Sequence, residues 1–119
     1  MVSLWNTASL MGLFGVGLGA YGAHGLTKRV KDPHLLKSWS TASYYLMFHA
    51  AALMAISLHP KYSQRWSAPL IATGCTMFSG SIFGLVLLPK HFASIRRVLG
   101  PVTPLGGLTM MAGWATMLV

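Results

Sequence analysis

The side chain best placed to do chemistry is His49, which lies in an otherwise apolar stretch. If this stretch is a helix, Ser38, Ala42, Tyr45 and His49 share one face, with His49 about halfway through an apolar layer. Ionisable side chains at such depth often mark functional sites in membranes. Tyr45 and His49 are therefore a candidate buried polar site. The simpler alternative, which we favour, is a neutral histidine hydrogen-bonded to a neighbouring helix.

The histidines can also be tested as metal or haem ligands. Counted from the basic end of the apolar segments at 1.5 Å per residue, His24 lies roughly 3 Å deep and His49 roughly 16 Å deep. Both axial ligands of one iron must lie at nearly equal depth, so this pair does not suit a haem. His34, His59 and His91 lie in connectors without metal-ligand spacing. We expect no metal and no cofactor.

The residues needed for common catalytic mechanisms are missing from the sequence. The one acidic residue, Asp32, lies outside the apolar segments, so no carboxylate pair is available for acid and base chemistry. The run Ser79-Gly80-Ser81 is not a nucleophile elbow, which needs Gly-x-Ser-x-Gly after a strand. We therefore expect a protein that is not an enzyme.

The composition indicates the kind of scaffold that positions these residues. Of 119 residues, 54% are hydrophobic and only 8% are charged, whereas soluble domains contain about 25% charged residues. Nine Lys and Arg against one acid give a formal net charge of +8. Because these cations occupy short connectors between apolar runs, we expect a bilayer with anionic lipid as the partner rather than nucleic acid.

Four apolar segments are predicted as helices, at about 5–26, 38–58, 67–88 and 104–119. The first three have the roughly 20 residues that a bilayer crossing requires. The fourth spans only about 24 Å, and Thr103 and Pro104 suit its N-cap and first position. The amphipathic pattern of 89–103 predicts a short interfacial helix before it. The predicted fold is thus one all-α domain over 1–119, an integral membrane four-helix bundle.

The connector charges predict how the bundle is oriented. Residues 27–37 and 89–103 together carry seven Lys and Arg, whereas 59–66 carries two. By the positive-inside rule, the richer end faces the cytoplasm or the mitochondrial matrix, and both termini lie on the opposite side.

The basic end also contains a candidate lipid site. Lys90, Arg96 and Arg97 precede the predicted helix start at Thr103, and a helix N-terminus attracts phosphate groups. These four residues are the predicted contacts of an anionic phospholipid such as cardiolipin. Ordinary flanking charge is the alternative.

Glycines form a stripe on each of two predicted helices. The stripe of the first helix recurs every three or four residues and comprises Gly12, Gly15, Gly19 and Gly22. The stripe of the third helix contains Gly80 and Gly84. Small-residue faces let membrane helices approach closely, so we expect these two helices to pack on each other or on partner subunits.

Five motifs, taken in chain order, resemble a known family. They are Gly19-Ala20-Tyr21-Gly22-Ala23-His24-Gly25-Leu26, Trp39-x-Thr41-Ala42-x-x-Tyr45-x-x-x-His49, Phe78-Ser79-Gly80-Ser81, Gly100-Pro101-Val102-Thr103-Pro104-Leu105-Gly106-Gly107 and Ala112-Gly113-Trp114. The chain resembles the YgdD-like small membrane proteins, a domain of unknown function whose eukaryotic members are called transmembrane protein 256. The resemblance implies a four-helix membrane protein, mitochondrial in eukaryotes, and implies no reaction.

These observations lead to two functional hypotheses. The first is a non-enzymatic accessory subunit of a larger membrane complex, in the respiratory chain of the mitochondrial inner membrane, with both termini in the intermembrane space. In a bacterium the membrane would be the inner membrane, with the termini outside. The alternative is a binder or carrier of a small apolar or quinone-like ligand, held beside Tyr45 and His49.

Overall fold

The computed structural model describes residues 3–119, which form four long helices and no strand. The helices are α1 (Leu4–His24), α2 (Pro33–Ser57), α3 (Ser67–Leu87) and α4 (Ala93–Thr116). The first two connectors each contain one turn of 3-10 helix, at Leu26–Lys28 and Tyr62–Gln64. The predicted all-α class with four long helices is confirmed.

Side-chain caps define where the first two helices begin. The Ser3 hydroxyl accepts a hydrogen bond from the Asn6 N–H at 3.1 Å and starts α1. The Asp32 carboxylate accepts from the His34 N–H at 2.9 Å, and Pro33 occupies the first position of α2. The chain's only acidic side chain is thus used to start a helix.

The fourth helix differs most from the prediction. It is one continuous helix of 24 residues that begins at Ala93, so the separate interfacial helix and the start at Thr103 are both wrong. Pro101 and Pro104 lie inside it, and contacts of Leu99 and Gly106 with α3 on either side of these prolines stabilise the continuous helix. Thr103 instead contacts the Ser81 hydroxyl on α3. The helix is about 36 Å long.

The helices pack in chain order, so that α1 lies on α2, α2 on α3, and α3 on α4. Contact between α1 and α3 is slight. The predicted close packing of their two glycine stripes on each other is therefore wrong. The molecule consists of two hairpins, α1–α2 and α3–α4, joined through α2 and α3.

The glycine stripe of α1 faces α2. A Cβ added at Gly15 would lie 2.6 Å from Cγ of Met47, and one at Gly22 would lie 2.6 Å from Nε1 of Trp39. Two further members of the stripe face α2 at ordinary van der Waals distances, namely Gly12 and Gly19. The glycine stripe of α1 therefore packs against a helix of the same chain.

Different glycines bring α3 and α4 together. A Cβ added at Gly74 would lie 2.5 Å from the backbone nitrogen of Met110, and one at Gly106 would lie 2.5 Å from the backbone nitrogen of Phe78. A Cβ at Gly113 would lie 2.9 Å from the backbone nitrogen of Ile71. The two backbones are therefore in direct contact.

The two predicted packing glycines of α3 have different surroundings. A Cβ at Gly84 would lie 2.9 Å from Cδ1 of Leu99 on α4. Gly80 is exposed and has no atom within 4 Å of the position of an added Cβ. Gly84 therefore packs inside the molecule, whereas Gly80 faces open space.

Many large apolar side chains are exposed on the outer surface, while the interior mixes apolar side chains with small and polar ones. Leu13 and Met111 are each 67% exposed, whereas Ser79 is 1% exposed and donates a hydrogen bond of 2.8 Å to the Ala42 carbonyl. Among residues 3–119, α3 is the one helix whose length and apolar composition meet the requirements for crossing a membrane.

Candidate functional site

A groove of about 770 Å³ lies between α2 and α4, with α3 behind it. Its α2 wall consists of Tyr44, Tyr45, Phe48 and His49, and Phe78 lies on the α3 side. Its α4 wall includes Pro104, Leu108, Met111 and Trp114. We call this feature the aromatic groove. Because Tyr44, Phe48 and Met111 are largely exposed, the groove opens sideways, toward whatever surrounds the helices.

His49 closes one end of the aromatic groove as a cross-link between α2 and α4. It is 6% exposed; Nδ1 lies 2.8 Å from the Tyr45 carbonyl, and Nε2 accepts a hydrogen bond from Nε1 of Trp114 at 3.1 Å. An indole N–H can only donate, so Nε2 is the acceptor and Nδ1 carries the proton given to the carbonyl. The imidazole is therefore neutral and bonded at both nitrogens. This is the arrangement that the simpler alternative predicted.

Tyr45 lies beside His49, as the helical spacing predicted. The two rings lie 5.9 Å apart in a stacked arrangement, and the Tyr45 ring is 4.7 Å from that of Phe78. The Tyr45 carbonyl also accepts a long contact of 3.5 Å from the Cys75 thiol. The candidate polar pair is thus brought together, but its imidazole has no free nitrogen for a metal or a ligand.

The structure places the predicted lipid-binding residues in different environments. Arg96 donates through Nη1 to the carbonyls of Leu85 and Leu88, at 2.7 and 3.1 Å. It therefore satisfies the carbonyls that the end of α3 leaves free. Thr103 lies against α3, as described above. Lys90 and Arg97 are exposed near the start of α4. Of the four residues predicted to bind lipid, two cations, Lys90 and Arg97, are therefore accessible to an anionic ligand.

Trp39 has a packing role that sequence reasoning missed. It is 1% exposed, its indole N–H donates to the Leu18 carbonyl at 2.7 Å, and its ring lies 4.6 Å from that of Phe83. It therefore joins α1, α2 and α3. A tryptophan near a helix end usually indicates the membrane interface. The residue that could have indicated this packing role is Gly22, because its missing side chain leaves room for the Trp39 indole.

Comparison with known proteins identifies the family. The family described as "Protein of unknown function (DUF423)" matches residues 18–107. The chain belongs to this family. This confirms the resemblance inferred from the five motifs to a small membrane protein family of unknown function.

Curated relatives of this DUF423 chain occur in yeast and in bacteria. A UPF0382 membrane protein of Schizosaccharomyces pombe is 66% identical over 119 residues, covering 99% of this chain and 100% of the relative. A UPF0382 membrane protein of Staphylococcus aureus (strain bovine RF122 / ET3-1) is 36% identical over 114 residues, covering 93% of this chain and 88% of the relative. No solved structure matches the chain significantly.

Proposed function

We propose that this DUF423 chain is an integral membrane protein in which all four helices cross the bilayer. The observation that carries the proposal is the outer surface: many large apolar side chains, such as Leu13, Phe48 and Met111, are more than half exposed, while the interior mixes apolar side chains with glycine, serine and His49. In water such a surface would be an aggregation liability; in lipid it is the expected one. The shortest helices, of 21 residues, are about 31 Å long and match the hydrocarbon core. The membrane-protein names of the relatives support this reading.

We place the protein in the mitochondrial inner membrane of a eukaryote, or in the inner membrane of a bacterium. Most of the Lys and Arg lie in the connectors that precede α2 and α4 or within the first five residues of these two helices, and this end faces the matrix or the cytoplasm. Both termini then face the other side, the intermembrane space in mitochondria. Reporter fusions at each terminus test this orientation, and a C-terminus on the basic side contradicts it.

The role we propose is that of a non-enzymatic accessory subunit of a respiratory-chain complex. A second groove of about 440 Å³, which we call the α1–α3 groove, has Leu10 and Phe14 on one wall and Thr76 and Gly80 on the other. The open space over Gly80 allows another helix to approach closely. Relatives in yeast and in staphylococci favour a partner common to mitochondrial and bacterial membranes, as respiratory complexes are.

Native gels in mild detergent test the accessory role. We expect the wild-type protein to migrate with a respiratory complex and Gly80→Leu, which fills the α1–α3 groove, to lose this association. Gly17→Leu is the matched control, because Gly17 is also exposed and has open space around it but does not line the groove. A wild-type protein that migrates as a small isolated oligomer refutes the role. If both variants associate with the complex equally well, the contact with the complex does not lie in the α1–α3 groove.

A second candidate function is to hold a small apolar or quinone-like ligand in the aromatic groove. The observation that favours it is the volume of the groove and its lining of aromatic rings. Because both nitrogens of His49 are already bonded, such a ligand would be held by ring contacts rather than by the imidazole. Leu108→Trp fills the groove without touching the His49–Trp114 bond, so we expect it to expel a co-purified ligand. Unchanged ligand content in this variant contradicts the assignment.

A further inference from the structure

The helices α2 and α4, which form the two walls of the aromatic groove, each carry a cation nearer the basic end than the groove residues. Lys37 precedes Tyr44 by seven residues on α2, and Arg97 precedes Pro104 by seven residues on α4. Seven residues are nearly two helical turns, so each cation shares the face of its groove residue and lies about 10 Å nearer the start of its helix. Both helices begin at the basic end. By helical register, Lys37 and Arg97 therefore extend the two walls of the groove toward the basic end.

The chain offers a single acidic side chain for all nine of its Lys and Arg. The chain contains one acid, Asp32, and its carboxylate accepts the His34 N–H at the start of α2. Lys37 and Arg97 are both exposed, in contrast to Arg96, which bonds the carbonyls at the end of α3. The mouth of the aromatic groove thus carries two positive charges, and an anion from outside the chain would complement them.

The character of the walls changes along the groove. Below the two cations comes the phenol of Tyr44, then Phe48, Leu108 and Met111, and the His49–Trp114 hydrogen bond closes the far end. From Pro104 to Trp114 the α4 wall extends about 15 Å. Along the groove, positive charge is followed by a hydrogen-bond donor and then by apolar surface. A phospholipid presents the complementary groups in the same order: a phosphate, an ester carbonyl and an acyl chain.

We propose that the aromatic groove binds one anionic phospholipid, with its phosphate between Lys37 and Arg97 and one acyl chain along the groove toward Trp114. The proposal rests on the membrane insertion proposed above. The Tyr44 hydroxyl donates to an ester carbonyl. A neutral quinone ring would leave the two cations unused. A partner helix would need small residues on the walls, where Tyr44, Phe48 and Met111 project instead.

Native mass spectrometry of the detergent-purified protein tests the site. The probes are phosphatidylglycerol and phosphatidylcholine with identical acyl chains. Lys37→Gln combined with Arg97→Gln removes the charges at the groove mouth, and Lys28→Gln combined with Arg29→Gln removes one lysine and one arginine from the α1–α2 connector. At about 1 kcal/mol per cation near an anionic lipid, we expect a loss of phosphatidylglycerol retention of roughly 30-fold in the first variant. The second variant and all phosphatidylcholine retention stay near wild type.

A third variant tests the acyl-chain part of the site. Leu108→Trp leaves every cation in place and fills the groove, so we expect it to lower phosphatidylglycerol retention as well. Equal losses in the two double variants would show that the basic end attracts anionic lipid without a defined site, and would overturn the proposal. So would a quinone or a protein that co-purifies with the wild type and is expelled by Leu108→Trp.

The membrane insertion on which the site depends is measured separately. Wild-type protein in vesicles should resist extraction by alkaline carbonate. Protein that is extracted refutes the insertion itself and the lipid site with it. Protein that stays inserted but shows no difference between the double variants refutes the lipid site alone.

Discussion

The two hairpins of this DUF423 protein both depend on glycine, but they use it in different ways. In α1–α2, the glycines lie on one helix and receive side chains of the other, such as Met47 and the indole of Trp39. In α3–α4, both helices contribute glycines, and Gly74 and Gly106 bring backbone against backbone. At the first interface an added methyl group would meet side-chain atoms first, although the backbone nitrogen of Met47 also lies 3.1 Å from a Cβ at Gly15. The second has neighbours that cannot move without moving a helix.

This difference predicts which glycines are irreplaceable. A side chain adapts to an intruding methyl group by changing rotamer at modest cost. A backbone amide cannot adapt unless the helices separate, which removes contacts along the whole interface. The α3–α4 interface should therefore be the more sensitive of the two to the smallest possible substitution, glycine to alanine.

The largest effect is expected for Gly106→Ala. Its Cβ would lie 2.5 Å from the Phe78 nitrogen and 2.8 Å from the Gly74 carbonyl oxygen, so α4 must move away from α3. We expect the free energy of unfolding, measured by SDS titration in mixed micelles, to fall by about 3 kcal/mol, the upper end of overpacking effects.

The neighbouring residue provides the control for this prediction. An added Cβ at Gly107 would meet Cδ2 of Phe78 at 3.8 Å, an ordinary contact, so Gly107→Ala should leave stability near wild type. If Gly106→Ala and Gly107→Ala are equally stable, the backbone contact between α3 and α4 does not limit their packing.

A smaller loss is expected for Gly22→Ala in the other hairpin. The added Cβ would lie 2.6 Å from Nε1 of Trp39, so the indole must turn away and its hydrogen bond to the Leu18 carbonyl breaks. Mild overpacking and one lost hydrogen bond together amount to about 2 kcal/mol. The same unfolding measurement applies.

Two further variants separate the indole from the glycine itself. Gly19→Ala should be tolerated, because its Cβ would lie 3.6 Å from that of Ser43. In a Trp39→Phe background, Gly22→Ala should cost less than in wild type, because the smaller ring leaves room. If Gly22→Ala destabilises the Trp39→Phe protein as much as the wild type, glycine is required at this position by the backbone of α1 and not by contact with the indole.

The contrast between the hairpins also explains what the sequence could reveal. The α1 stripe was visible because its four members recur on one helix at regular spacing. The pair Gly74 and Gly106 belongs to two helices, and nothing local joins one to the other. Regular spacing predicted that the α1 glycines pack; it could not say that their neighbour would be α2 rather than α3, because that choice is made by tertiary contacts.

Local signals misled in one place and succeeded in another. Thr103-Pro104 has the composition of a helix start. In the structure, however, α4 begins earlier, at Ala93, and continues through this segment, because contacts with α3 stabilise the helix there. Tyr45 and His49 were correctly placed side by side, since their spacing of four residues fixes that neighbourhood. The partner of His49, Trp114, comes from 65 residues further along the chain, where no periodicity could find it.

The smallest effect is expected where the two hairpins meet. Here α2 faces α3 and α4 through aromatic contacts and hydrogen bonds rather than glycine contacts, and the hydrogen bonds include those from Ser79 to the Ala42 carbonyl and from Trp114 to His49. Such bonds contribute little in a membrane, because separated helices find other polar partners. A double-mutant cycle with Trp114→Phe and His49→Leu should therefore give a coupling energy of about 0.6 kcal/mol.

The size of that coupling energy tests the comparison between the two kinds of contact. A value near 0.6 kcal/mol would mean that glycine contacts hold each hairpin together, while the polar bonds between hairpins set their register at little cost. A value of about 2 kcal/mol or more would exceed what interhelical hydrogen bonds in membranes usually contribute. In that case His49 and Trp114 would be principal joints of the fold, and the glycine interfaces alone would not explain how the four helices stay together.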